Sequence, residues 1–313
     1  MKKIILIVVC SFIYITVQGQ TLQRTILSHN GKITQYDANN WKKAISDAVS
    51  GDTVYFTSGT FVGELTINKP LTLIGPGVSK EDCFDSSTYG DFYASGASAK
   101  LTGQVTLSIA QSDTLHTLCF EGIYFNSAIY GCNLSKMIIR RCHINDLFSQ
   151  SSYIVNNLVL ESSYVSKFFP SVLASPNIYN CYISTMYNGG GVTFTNCTFV
   201  SGYYANSGEN CTYVNCCLNM KPRYSAFVNC LYTSADSEST YTNCWKVSNP
   251  HKITAAQMLT SNYLGLDGTI VGPMGGPAPF TMKPSLPYIE ESTVEYDVEN
   301  KKLNVSMKVK RGE

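Results

Sequence analysis

Val192-Thr-Phe194-Thr-Asn-Cys197-Thr-Phe199 decides how this chain folds. Apolar residues alternate up to a polar pair, pass a bend residue and resume, so two short strands meet at a corner. The frame recurs upstream as Leu118-Cys-Phe120-Glu-Gly-Ile123-Tyr-Phe125, Met137-Ile-Ile139-Arg-Arg-Cys142-His-Ile144, Leu158-Val-Leu160-Glu-Ser-Ser163-Tyr-Val165 and Ile178-Tyr-Asn-Cys181-Tyr-Ile183. Downstream it continues as Tyr213-Val-Asn-Cys216-Cys-Leu218 and Phe227-Val-Asn-Cys230-Leu-Tyr232, and Tyr241-Thr-Asn-Cys244-Trp is a degenerate last copy, as expected of a terminal repeat. The bend positions 123, 142, 163, 181, 197, 216, 230 and 244 are spaced by 19, 21, 18, 16, 19, 14 and 14 residues. Paired helices would hold such spacing constant, whereas strands joined by turns absorb insertions in the turns. The expected architecture is all-β: one coil per repeat, strand stacked on strand about 4.8 Å apart, in a single-stranded parallel β-helix.

Composition agrees. Charged residues make up 14% of the 313-residue chain, against about 25% in ordinary soluble proteins. Formal net charge is +1 and falls to about −1 once the leader's Lys2 and Lys3 are discounted, leaving no basic field for nucleic acid. Hydrophobic content of 44%, with 21 Tyr and 14 Phe, excludes a disordered chain. Residues 1–19 read as a signal peptide: Lys2-Lys3, then apolar runs Ile4–Val9 and Phe12–Val17, then Gln18-Gly19. That predicts an exported bacterial protein, in the periplasm, at the outer-membrane surface or outside the cell, without a membrane span after cleavage.

Twelve cysteines less Cys10 leave eleven, and Asn precedes Cys at 180-181, 196-197, 210-211, 215-216, 229-230 and 243-244. CxxC zinc pairs are absent, and His29, His116, His143 and His251 are scattered. The cysteines mark repeat positions. A ladder of buried thiols is favoured over disulfides, because in-register neighbours rarely meet disulfide torsions; Cys211, Cys216 and Cys217 are the exceptions to watch.

Near the start, Asp37-Ala-Asn-Asn-Trp-Lys-Lys-Ala-Ile-Ser-Asp-Ala-Val49 has the period of an amphipathic helix over 38–49, with Trp41, Ala44, Ile45, Ala48 and Val49 on one face. Ser50-Gly-Asp-Thr-Val-Tyr-Phe56, Gly59-Thr-Phe61 and Leu65-Thr-Ile-Asn-Lys-Pro-Leu-Thr-Leu-Ile-Gly75 follow. This opening resembles right-handed parallel β-helix proteins of the pectin-lyase-like superfamily, where a helix caps the first coil. Gly265-Leu-Asp-Gly-Thr-Ile-Val-Gly-Pro-Met-Gly-Gly276 resembles the closing turn of such proteins in Bacteroidetes. The resemblance covers roughly residues 37–280 and implies a right-handed solenoid, with the β-helix domain placed at 20–280. It implies no particular chemistry, because the superfamily holds lyases, hydrolases, epimerases and non-catalytic surface proteins.

Residues two before and one after each bend are expected to face outward. The first such column starts Glu121, Arg140, Glu161 and becomes neutral at Tyr179 and Thr195. Its plain reading is a ladder of alternating surface charge. Its catalytic reading is a Glu121/Glu161 pair two rungs, roughly 10 Å, apart, near the upper limit for an inverting glycosidase. Arg140 between them opposes that, since a nearby cation lowers both carboxyl pKa values. The second column, Tyr124, His143, Tyr164 and Tyr182, is either an aromatic ladder stabilising the stack or a set of rings for sugar faces. Tyr187, Tyr203 and Tyr204, close to turns, would extend the strip.

Within an insertion at 78–100, Asp82, Asp85 and Asp91 are the candidates for a hard cation, although their spacing matches no known calcium loop. Gly189-Gly190-Gly191 precedes a strand and not a helix, so it is a turn between coils. Between 117 and 250 the only aspartates are Asp146 and Asp236, so the paired aspartates of a hydrolase are missing. Lys136, Arg140 and Asp146 form no defined lyase constellation. After Pro277, Pro279, Pro284 and Pro287, residues 281–313 alternate about Glu299-Asn300 as a β-hairpin, expected to cover the last coil.

The functional expectation is an exported, non-catalytic β-helix that meets polysaccharide or cell-surface glycan through an outer aromatic and polar face, without a cofactor. Two alternatives stay open. One is a lyase or glycoside hydrolase acting on a uronate-containing glycan, with Ca2+ under the lyase version. The other is a purely structural envelope protein.

Overall fold

The computed structural model describes residues 23–80, 93–94, 96–110, 115–131, 133–149, 154–187, 189–202, 207–283, 285, 288–297 and 302–310. The leader and Asp82, Asp85 and Asp91 lie outside them, as do Tyr203 and Tyr204. The chain is an all-β parallel solenoid built on two twelve-stranded sheets. The first sheet stacks Thr53–Phe56, Thr72–Ile74, Leu118–Glu121, Met137–Arg140, Leu158–Glu161, Asn177–Tyr179, Thr193–Thr195, Thr212–Val214, Ala226–Val228 and Thr240–Thr242, all parallel. Arg24–His29 adds antiparallel to Thr53–Phe56, and Lys32–Asp37 closes that edge. The second sheet takes the outgoing strand of each coil, from Gly59–Phe61 to Trp245–Lys246.

The corner between the sheets lies one residue earlier than the sequence frame placed it. Left-handed backbone falls at Gly122, Arg141, Ser162, Asn180, Asn196, Asn215, Asn229 and Asn243, with φ between 44° and 64°. Asn and Gly are the residues that adopt this conformation most cheaply, which explains the repeated Asn. The following Cys has a different task. Its Sγ donates to the carbonyl two residues back (Cys197 to Thr195 at 3.2 Å, Cys216 to Val214 at 3.2 Å) and accepts from the previous coil. Cys197 N, Cys216 N and Cys230 N donate to Cys216, Cys230 and Cys244 Sγ at 3.4, 3.4 and 3.3 Å. Ser163 does the same with oxygen, accepting from Cys142 N at 3.2 Å. The small polar-tipped side chain thus satisfies an N–H turned away from the sheet ladder. All nine described cysteines are free thiols.

Inside, inward residues stack in columns. Phe194, Tyr213, Phe227 and Tyr241 pile up with centroids 5.4, 5.1 and 4.6 Å apart and rings within 14° of parallel. The buried Tyr213 hydroxyl donates to Gly208 O at 3.0 Å, as a buried phenol must. At the N-terminal end a 3-10 turn Ala38–Asn40 runs into a short helix Trp41–Asp47, capped by Asp37. Trp41, Ala44, Ile45 and Ala48 are buried against Phe56 and Phe61, but the helix stops before Val49, which is exposed.

After the last coil, a capping box at Thr254 and Gln257 starts the helix Ala255–Thr260. The chain then doubles back as a strap over the outside of the second sheet. Leu266 N donates to Asn215 Oδ1 at 3.1 Å, Asn180 Nδ2 donates to Pro273 O and Gly275 O at 3.0 and 2.7 Å, and Val78 N donates to Met282 O at 3.2 Å. Tyr288–Asp297 and Lys302–Lys310 then form an antiparallel hairpin that pairs only with itself. Among the described residues no ladder joins it to the last coil. Among the described residues, Ile253, Met258, Tyr263, Leu264, Ile270 and Val271 pack over the last coils.

Candidate functional site

The first outward column is a closed charge cluster. Parallel register puts Arg140 between Glu121 and Glu161. Glu121 is 1% exposed. Its Oε2 accepts from Arg140 Nε and Nη2, both at 2.7 Å, and its Oε1 accepts from Arg141 Nη1 at 3.4 Å and from the Ser285 hydroxyl of the strap. Burial works against the Arg140 charge, but the adjacent Glu121 carboxylate more than compensates and lifts its pKa. On the next rungs, burial and a hydrogen bond to Glu161 push the Tyr179 hydroxyl up to about 12. Glu121 therefore has no free oxygen to offer as acid or nucleophile. The geometry makes it an anchor for the strap.

The second column does face away from the coil interior, but it is not an open surface. Tyr124, His143, Tyr164 and Tyr182 stack with centroids 4.3, 4.6 and 5.1 Å apart. All four are buried, at most 6% exposed, with Val78, Tyr93, Phe280 and Met282 packed on the three tyrosines. Lys100 Nζ sits 4.7 Å from the Tyr124 ring centroid. The expectation of rings presented to glycan is corrected here. The frame identified a face turned from the interior, and the strap, which has no repeat signature of its own, covers it. Tyr187 is partly exposed and stacks on Phe169 at 4.2 Å.

What stays open on the second sheet is the polar strip beside the strap. Asp146, Lys167, Thr185 and Ser201 follow one another in register on adjacent rungs. Beside them Asn145 Nδ2 donates to Asn126 O at 3.0 Å, Thr185 Oγ1 and Ser201 Oγ lie 3.2 Å apart, and Asn219 Nδ2 donates to Val200 O at 2.9 Å. These side chains are partly or fully exposed. The strip runs into a cavity of about 500 Å3 lined by Ser201, Ser207, Asn219, Lys221 and Arg223. Neither Lys221 nor Arg223 forms an ion pair among the described residues. The sequence carried a signal for this strip, namely polar residues two or three places after each ring of the Tyr/His column.

Among the described residues no group of three or more His, Cys, Asp and Glu could hold a metal ion. No helix among them is long and apolar enough to cross a membrane. Comparison with protein families, curated proteins and solved structures found no match.

Proposed function

We propose that this is an exported, non-catalytic right-handed β-helix of the pectin-lyase-like kind that holds polysaccharide along the outside of its second sheet. The supporting observation is the strip from Asn126 and Asn145 through Asp146, Lys167, Thr185 and Ser201 to the Lys221/Arg223 cavity. It is long, narrow, rich in hydroxyl and amide groups and uncovered. A polymer of hydroxylated rings fits such a surface better than a compact ligand, because recognition is spread over successive rungs about 4.8 Å apart. Lys221 and Arg223 add a preference for carboxylate-bearing or sulfated chains at one end.

The enzymatic alternative has one geometric foothold, the neighbouring Asp146 and Lys167, and one assay separates the two readings. Electrophoresis of the protein through gels containing uronate-rich or neutral polysaccharide, followed by a reducing-end assay, is expected to show retardation without new ends. New ends would overturn the non-catalytic reading. Unretarded passage in every gel would remove glycan binding and leave a structural envelope role.

A further inference from the structure

The asparagine corner continues past the point where the strap leaves it. Asn180 and Asn215 spend their amides on strap backbone. Asn229, on the next coil after Asn215, has the same left-handed backbone, φ 51°, and is only 6% exposed; its buried Oδ1 has no hydrogen-bond partner, as is also true of Asn196 Oδ1 beneath the strap. Asn229 borders a cavity of about 350 Å3 whose other walls are Asn243, Cys244, Trp245, Asn262 and Leu264. Asn243 and Asn262 are exposed, and Trp245 is half-buried with its indole against Tyr263 at 5.4 Å. No charged residue lines the cavity.

We infer that this cavity is a subsite for a single uncharged sugar unit of a polysaccharide. Three amides in one cavity offer both donors and acceptors to a ring bearing several hydroxyls. The indole gives the apolar face of that ring a partner, in the usual division of a site between apolar wall and a few fixed polar groups. A cation would find amide oxygens and one thiol but no carboxylate. An anion would find no positive charge. The subsite rests on the glycan reading above, extends it to the last two coils, and is separate from the Lys221/Arg223 cavity.

Trp245 supplies the readout. The chain has 2 Trp, and Trp41 is 4% exposed, so iodide quenching of tryptophan fluorescence reports on Trp245. The probes are neutral hexasaccharides of glucose, mannose, xylose and N-acetylglucosamine, with oligogalacturonate as the charged control. At least one neutral hexasaccharide is expected to cut the quenching constant about twofold or more, and oligogalacturonate is not. Asn229→Gly keeps the left-handed corner but removes the side-chain amide from the cavity wall, and should abolish that protection without altering quenching of the free protein. Asn262→Gly, at an exposed position, should weaken it without affecting folding. Absence of protection by every neutral probe, or equal protection in Asn229→Gly, would overturn the subsite. Retardation of the wild-type protein in polysaccharide gels alongside unprotected Trp245 would sink the subsite alone; loss of both would sink the glycan reading with it.

Discussion

Asn180 and Asn229 are the same residue in the same repeat position, each followed by a buried Cys and each on left-handed backbone. Around Asn180 the strap has closed, taking two hydrogen bonds from its amide. Around Asn229 no strap backbone takes the amide and the corner borders a cavity; an unfilled Oδ1 is common to Asn229 and to Asn196 beneath the strap. One motif therefore does two jobs, holding the chain's own backbone at Asn180 and Asn215 and walling a cavity at Asn229. The contrast teaches that a solenoid repeat determines the coil but not what lies against it. The covering comes from non-repeating chain, here the strap from Leu264 to Ser285 together with Val78 and Tyr93.

Five changes probe that division, starting with one that strains both regions. Burial pushes the Cys119 thiol up to about 11 and raises Cys142 and Cys217 as well. A raised pKa means the fold keeps protons that the unfolded chain sheds above about 8.5. Stability from these thiols is thus complete below pH 8.5 and falls as pH rises toward 11 and beyond, by roughly 1.4 kcal/mol per pH unit for each thiol still protonated in the fold. Urea unfolding at pH 7, 9 and 10 should show the decline; a flat profile would mean that Cys119, Cys142 and Cys217 are not buried as described.

Phe194→Ala removes a fully buried ring stacked on Tyr213 and edge-on to Phe199 at 5.0 Å. A loss of about 3–5 kcal/mol is expected in urea, since this column supports covered and open coils alike. Tyr164→Ala acts on the covered region alone. Its ring stacks on Tyr182 beneath the strap, so a loss of about 3 kcal/mol with unchanged glycan retardation is expected. Lys167→Ala, three residues on but exposed in the open strip, should invert that outcome, with stability within about 0.5 kcal/mol of wild type and retardation by uronate polysaccharide weakened. If both variants behaved alike, the distinction between the two regions would collapse. Glu121→Gln, which leaves Arg140 and Arg141 without their carboxylate, should cost about 2 kcal/mol and increase proteolysis of the strap.

The repeat, its register, the thiol ladder and a short N-terminal helix were legible because they are periodic. Alternation, Asn-Cys pairs and aromatic residues recur at positions that pleat geometry dictates. The corner was read one residue late, because the buried Cys is the more conspicuous member of the pair while Asn carries the left-handed backbone. The site was far less legible. Tyr124, His143, Tyr164 and Tyr182 were assigned correctly to the side facing away from the interior, yet their exposure depended on Phe280 and Met282, more than a hundred residues away in sequence from most of the column. Glu121 looked like half of a carboxylate pair until Arg141 and Ser285 were placed beside it. No local pattern encodes such contacts.

The decisive comparison is urea unfolding of Asn180→Gly beside Asn229→Gly. Glycine accepts both left-handed corners, so the pair differs only in what the lost amide was touching. Asn180→Gly should cost about 1–2 kcal/mol for its two strap bonds, and Asn229→Gly should be within about 0.5 kcal/mol of wild type. Equal losses in the two variants would contradict the claim that one repeat position is closed by the strap on the middle coils and left open for a ligand on the last.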